Sequence, residues 1–183
     1  MVGGLAVAGS PISPPAVAAE ALPPAVVAVV NYQRLLREAK AARQIRDQIE
    51  ARRRRYQEEI KQKEQELLEK EREITRQRSL LSPEAFANKR REFEREAAAV
   101  QREVQERRRQ LDAASANAYA EVRNAIIEVV GELAEARGFN LVLPSTAVLL
   151  FSPRLDLTEE VLAGIDARLP SVEVPEVPPA ETK

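Results

Sequence analysis

From Gln33 to Leu81 the chain carries no proline and no glycine, and its apolar residues recur at a spacing of seven. One series holds Ala42, Ile49 and Tyr56. The next holds Ile60, Leu67, Ile74 and Leu81. A step of four joins Tyr56 to Ile60, so the two series form an a/d seam along one face of a helix. At about 1.5 Å per residue that helix is roughly 70 Å long. A second run with no internal proline, Pro83 to Arg137, repeats the pattern with Phe86, Phe93 and Val100, and with Ala97, Val104, Leu111 and Ala118. Ser82-Pro83-Glu84 supplies the corner between them. Ser82 is placed to cap, Pro83 suits the first helical position, and Glu84 suits the positive end of the dipole. Gly138 is placed as the left-handed residue that closes the second helix.

Folding back at this corner sets Leu81 against Phe86, Ile74 against Phe93, Leu67 against Val100, Tyr56 against Leu111 and Ile49 against Ala118. The seam is thin, because Arg53, Lys63, Lys70 and Gln77 also occupy it. Such an arm is helical yet able to bend and splay.

Short apolar runs flank the arm. Ala25 to Val30 follows Pro23-Pro24 and reads as a strand. Asn140 to Leu143 and Ala147 to Phe151, parted by Pro144-Ser145-Thr146, read as a β-hairpin. Thr158-Glu159-Glu160 then opens a short helix to about Leu169, with Thr158 as its cap. The expected fold is mainly α with a small β root. It is a long antiparallel helical hairpin, or coiled-coil arm, with short strands on both sides. Three strands alone would leave apolar edges exposed. Sharing the sheet between chains, as a closed barrel, removes those edges. Val27, Val29, Leu141, Leu143, Val148 and Leu150 are the expected oligomerisation root.

The domain reading is a signal peptide over residues 1–18, a linker at 19–24 and the root strand at 25–31. The arm covers 32–137, turning near 82–83. The root hairpin and closing helix cover 138–169, and a Pro-rich acidic tail, disordered or extended, covers 170–183. Ala16-Val17-Ala18 has the small-x-small form of a cleavage site, although no basic residue precedes the apolar stretch and prolines interrupt it.

Charge adds an asymmetry. The whole chain is near neutral, with 28 basic and 29 acidic residues. The arm is mildly basic and the flanks are acidic. Arg52-Arg53-Arg54-Arg55 spreads around most of the helix circumference rather than forming one stripe, which argues against nucleic acid as a partner. Arg107-Arg108-Arg109 faces Glu58 and Glu59 across the seam. The tip gathers like charges: Arg72, Arg76, Arg78, Lys89, Arg90, Arg91 and Arg95, with Phe86 and Phe93 beside them. Like charges held together oppose folding, so a cationic client-binding tip is the functional expectation. Accidental surface charge is the alternative.

Catalysis finds little support. The chain has no His and no Cys, which removes the commonest general base and thiolate metal sites. No Gly-rich phosphate loop, nucleophile elbow or metal cluster is present. No enzyme activity, cofactor or metal is expected.

In order and local wording the chain resembles the Skp/OmpH family of periplasmic chaperones. Ala25-Val26-Val27-Ala28-Val29-Val30-Asn31 is similar to their opening strand. Gly138-Phe139-Asn140-Leu141-Val142-Leu143 is similar to the return strand, and Leu155-Asp156-Leu157-Thr158-Glu159-Glu160-Val161-Leu162 to the Asp-x-Thr entry of the closing helix. The resemblance spans roughly Ala25 to Leu169. It implies a homotrimer whose strands form a shared barrel, with three arms around a cavity. It implies an ATP-independent holdase in the periplasm whose partners are unfolded outer-membrane β-barrel proteins. The best-known members are strongly basic. The near-neutral charge here speaks against membrane or lipopolysaccharide contact. The alternative is a structural coiled-coil envelope protein without client binding. A prefoldin-like arrangement fits poorly, because Ser82-Pro83 leaves no room for strands between the helices.

Overall fold

The computed structural model describes residues 22–176. The expected signal peptide at 1–18 and the end of the tail, 177–183, lie outside the described residues.

Strand β1 (Val27–Val30) leads into helix α1 (Tyr32–Glu38) and helix α2 (Lys40–Arg76). One turn of 3-10 helix (Gln77–Ser79) precedes the corner, and helix α3 (Pro83–Arg137) returns. Strand β2 (Leu141–Pro144) and helix α4 (Thr158–Arg168) complete the root. The corner forms as the local chemistry dictates. Ser82 Oγ accepts from the Ala85 N–H at 3.2 Å with Pro83 at the helix start. Gly138 closes α3 at φ 75°, a conformation that favours glycine.

The arm differs from one unbroken first helix. It breaks at Ala39, whose ψ of 139° is extended. Alanine is the best helix former, so propensity does not cause the break. The cause lies in α4: Asp166 Oδ1 accepts the Lys40 N–H at 2.8 Å. A carboxylate from another helix therefore satisfies an orphan donor at the start of α2 and opposes its positive dipole end.

The root also differs. β1 and β2 pair in parallel, Val27 with Leu141 and Val29 with Leu143. A parallel pair needs a long crossover, and here the entire arm is that crossover. The expected strand at Ala147 to Phe151 does not form. Pro144 ends β2, having no N–H to continue a ladder. Ser145–Ala147 then turns as 3-10 helix, and the chain beyond it runs without a partner strand. The sheet within one chain has two strands, extended by a single bridge between Val29 and Asp156.

One continuous core fills the root and the near half of the arm. It includes Leu35, Ile45 and Ile49 from the first arm helices. Val122, Ile126 and Val129 come from α3, and Val161 and Ile165 from α4. Helix α4 sits close enough to α3 that a Cβ added at Gly164 would lie 2.6 Å from Val129 Cγ1. Arg168 pairs with Glu132 at 2.7 Å and Arg137 with Glu160 at 2.8 Å, fastening α4 to α3.

Of the two expected states of the tail, disordered or extended, the described part takes the extended one. Ser171–Glu176 lies extended along α2 with Val172 and Val174 buried. The reason is a set of polar groups on α2 that sequence patterning treats as solvated, described below.

Candidate functional site

The arm seam carries a gradient. In α2 the buried residues are Ala41, Ala42, Ile45, Ile49 and Tyr56, and none lies beyond Tyr56. In α3 burial begins only at Val100. The outer seam residues Ile60, Leu67, Ile74, Phe86 and Phe93 are half-buried. Two helices touching along one stripe cover each other on one side only, so these side chains keep an open flank. A third surface is needed to bury them.

Cross-seam polar contacts hold this outer half in register. Lys63 pairs with Glu103, and Lys70 with Glu96 at 2.5 Å. Lys89 Nζ donates to Gln77 Oε1 at 2.6 Å. The Lys63 ammonium draws the Glu103 carboxyl below the usual carboxylate range against the opposing effect of burial. Glu96 likewise raises Lys70 above its ordinary value. These are the pairings that the corner at Ser82 dictates. Arg107 meets Glu59 at 3.4 Å, as the charge pattern indicates, and its guanidinium also lies 4.6 Å from the Tyr56 ring centroid.

Mid-arm, an open cavity of about 580 Å³ is lined by Tyr56, Ile60, Val104 and Leu111, with Arg53 and Arg107 at its margin. A smaller one of about 230 Å³ lies between Ile74 and Phe93 and is rimmed by Lys70, Glu73, Lys89 and Glu92. Both are apolar at the floor and charged at the rim.

At the tip, Arg72, Arg76, Arg78, Lys89, Arg90, Arg91 and Arg95 are all exposed. Local partners occupy some of them. Arg76 pairs with Glu73 at 2.8 Å and Arg90 with Glu94 at 3.2 Å. Arg78 lies 5.9 Å from the Phe86 ring centroid. Arg72 and Arg95 make no ion pair among the described residues. The hydrogen bond from Gln77, then Arg76, lowers the Glu73 carboxyl.

The root residues divide. Val29 is buried within its own chain, and Val27, Leu143 and Val148 are half-buried. Leu150 is 89% exposed and its neighbour Leu149 fully so. With Val26 and Leu141 they leave apolar surface uncovered at the root.

Several contacts that organise the molecule escaped the sequence reading. Asn31 Oδ1 accepts from the Arg34 N–H at 2.9 Å and caps α1. Its own N–H donates to Thr158 Oγ1 at 2.8 Å. Thr158 in turn donates both its N–H and its hydroxyl to Asp156 Oδ1. Thr158 is thus the first residue of α4 rather than its cap. Asn140 Oδ1 accepts from the Val26 N–H at 2.8 Å and Nδ2 donates to the Pro24 carbonyl, pinning β1 beside β2. Asn and Thr beside a helix start are a usable signal; their long-range partners leave none.

The basic run Arg52–Arg55 does not present one face. Arg52 donates to the carbonyls of Val174 and Pro175. Arg54 pairs with Glu50, and Arg55 with Glu176. Among the described residues there is no cluster of three or more His, Cys, Asp or Glu that could hold a metal ion. No described helix is long and apolar enough to cross a membrane.

A long antiparallel helical hairpin planted on a two-stranded parallel root, with a closing helix across its base, defines the class. The family model described as "Outer membrane protein (OmpH-like)" matches residues 26–165, and the chain belongs to that family. The family is not one of enzymes. A crystal structure from Caulobacter crescentus, described as that of a candidate OmpH-like outer membrane chaperone, superposes with a TM-score of 0.76. The two chains are 18% identical, and the match covers 86% of this chain and 95% of the other. At that identity the likeness establishes the fold. No curated protein sequence matches significantly.

Proposed function

We propose that this protein is an ATP-independent holdase that binds unfolded outer-membrane β-barrel proteins in the periplasm and keeps them from aggregating. One observation carries the reading: from Gln57 to Ala99 no side chain of the arm is buried, although apolar residues line the seam throughout. An arm of two helices leaves that stripe open to a third surface. This one keeps it half open beside exposed cations. Unfolded barrel strands alternate apolar and polar residues, and such segments suit a surface with apolar floors and charged rims. Family membership and the described role of the Caulobacter neighbour support the same reading.

The cationic tip, with Phe86 and Phe93, serves as the first contact for clients. The exposed root surface at Val26, Leu141, Leu149 and Leu150 is covered by sister chains in a homotrimer, whose shared β-barrel sets three arms around a cavity. Residues 1–18 direct export.

The test dilutes a urea-unfolded outer-membrane β-barrel protein into buffer with the purified chain and no nucleotide. Light scattering should fall as chain concentration rises, and native mass should give a trimer. Unchanged scattering together with a monomeric mass would overturn the proposal.

A further inference from the structure

The segment Ser171–Glu176 shows how this surface holds a strand. Its side chains alternate. Val172 and Val174 are 4% and 3% exposed, whereas Ser171, Glu173 and Pro175 face outward. That is the period of a β-strand with one buried face. Its main chain is held by side chains rather than by another strand. Gln48 Nε2 donates to the Val172 carbonyl at 2.8 Å, and Gln48 Oε1 accepts the Val174 N–H at 2.9 Å. A side-chain amide thus makes the same donor–acceptor pair that a neighbouring strand would make. Arg52 adds donors to the carbonyls of Val174 and Pro175. Gln48, Arg52 and Arg55 stand at positions i, i+4 and i+7 of α2, on one face of the helix.

These contacts read very little of the tail's own sequence. The hydrogen bonds go to backbone atoms. The two buried positions, Val172 and Val174, ask only for a modest apolar side chain at alternate residues. Just one interaction, Arg55 with Glu176 at 3.7 Å, engages a side-chain charge, and both groups are exposed. A site of this kind accepts any extended segment of the pattern apolar-x-apolar.

We propose that the Gln48–Arg52 face of α2 is a peptide-binding groove for extended segments with alternating apolar residues. Ser171–Glu176 is its resident competitor. The inference rests on the holdase reading for the identity of the competing segments, which are strands of unfolded barrel proteins. The tail occupies the groove when no client is present, so its apolar floor does not stand open to other chains. A client strand displaces it by offering the same backbone groups and apolar pair at high local concentration. Such occupancy lowers apparent affinity by the fraction of time the groove is free. A tail that vacates about a tenth of the time weakens binding about tenfold.

The test uses the full chain and a short labelled peptide of alternating Val and Thr. A peptide of the same composition with its valines in one block is the control. At saturation the alternating peptide should accelerate hydrogen exchange at the Val174 amide, and the control should not. Val172→Ser with Val174→Ser should bind the alternating peptide about tenfold more tightly, and adding Gln48→Ala should abolish most of that gain. Circular dichroism and native mass establish that the variants keep their fold, and the exchange measurement needs no variant at all. A Val174 amide that stays protected under saturating peptide overturns the groove, as does a tail variant with unchanged affinity. The light-scattering assay is read on the same preparations. If suppression persists while the groove ignores the peptide, this inference falls and the holdase reading stands. If suppression is absent, the holdase reading falls whatever the groove binds.

Discussion

At the scale of single residues, Thr158 ties the root together. It is 2% exposed, it accepts from the Asn31 N–H, and it donates to Asp156. Thr158→Val keeps the shape and removes the hydroxyl, leaving a backbone donor and a carboxylate short of a partner. The expected cost is about 1–3 kcal/mol, read as a lower urea midpoint, whereas Thr158→Ser should retain most of the stability. Glu103 gives the molecule a pH response. Lys63 lowers its carboxyl, so its contribution is complete above the ordinary carboxylate range and is lost as pH falls through the depressed folded value. Urea melts of the wild type and Glu103→Gln should differ near neutrality and converge in acid; a constant gap across pH would contradict the assignment. Sequence reading reached Thr158 through the helix-start pattern Asp-x-Thr-Glu-Glu. It did not reach Asn31, because that partner lies 127 positions away.

At the scale of elements, the outcome followed how local each cause was. The corner at Ser82-Pro83 and the stop at Gly138 were legible because capping chemistry acts within one helical turn. The seam register follows from the corner, and the pairs Lys63 with Glu103 and Lys70 with Glu96 fall within it. Three features were not legible. The break at Ala39 depends on Asp166 of a distant helix. The run Ala147 to Phe151 is apolar enough for a strand, but apolar content does not distinguish a buried strand from uncovered surface, and Leu149 and Leu150 point outward. The order in Ser171–Glu176 depends on Gln48. Two glycines separate packing from backbone effects. Gly164→Ala places a methyl against Val129 and should lower stability by about 1–3 kcal/mol. Gly131→Ala meets open space inside a helix and should raise stability by about 0.5–1 kcal/mol. Thermal unfolding of the two variants should therefore shift in opposite directions.

At the scale of the whole molecule, burial runs from a packed root to an outer arm in which nothing is fully covered. Local opening costs least where few apolar contacts are lost. Amide exchange in the isolated protein should be fastest around the corner at Ser82 and slow steadily toward Ile45 and Val122; equal protection along the arm would contradict the gradient. Overall architecture was readable because sevenfold periodicity declares long helices without reference to anything else. The direction of strand pairing was not, since it depends on where the second helix delivers the chain.

The parallel pairing of β1 with β2 also dictates an order of events. Val26 and Asn140 stand 114 positions apart, and joining the ends of so long a flexible loop is entropically costly before any contact rewards it. Zipping the two helices from the corner downward shortens that loop step by step, so the sheet closes last. Damage at the corner, though it lies farthest from the sheet, should therefore slow refolding of the root more than it lowers the final stability.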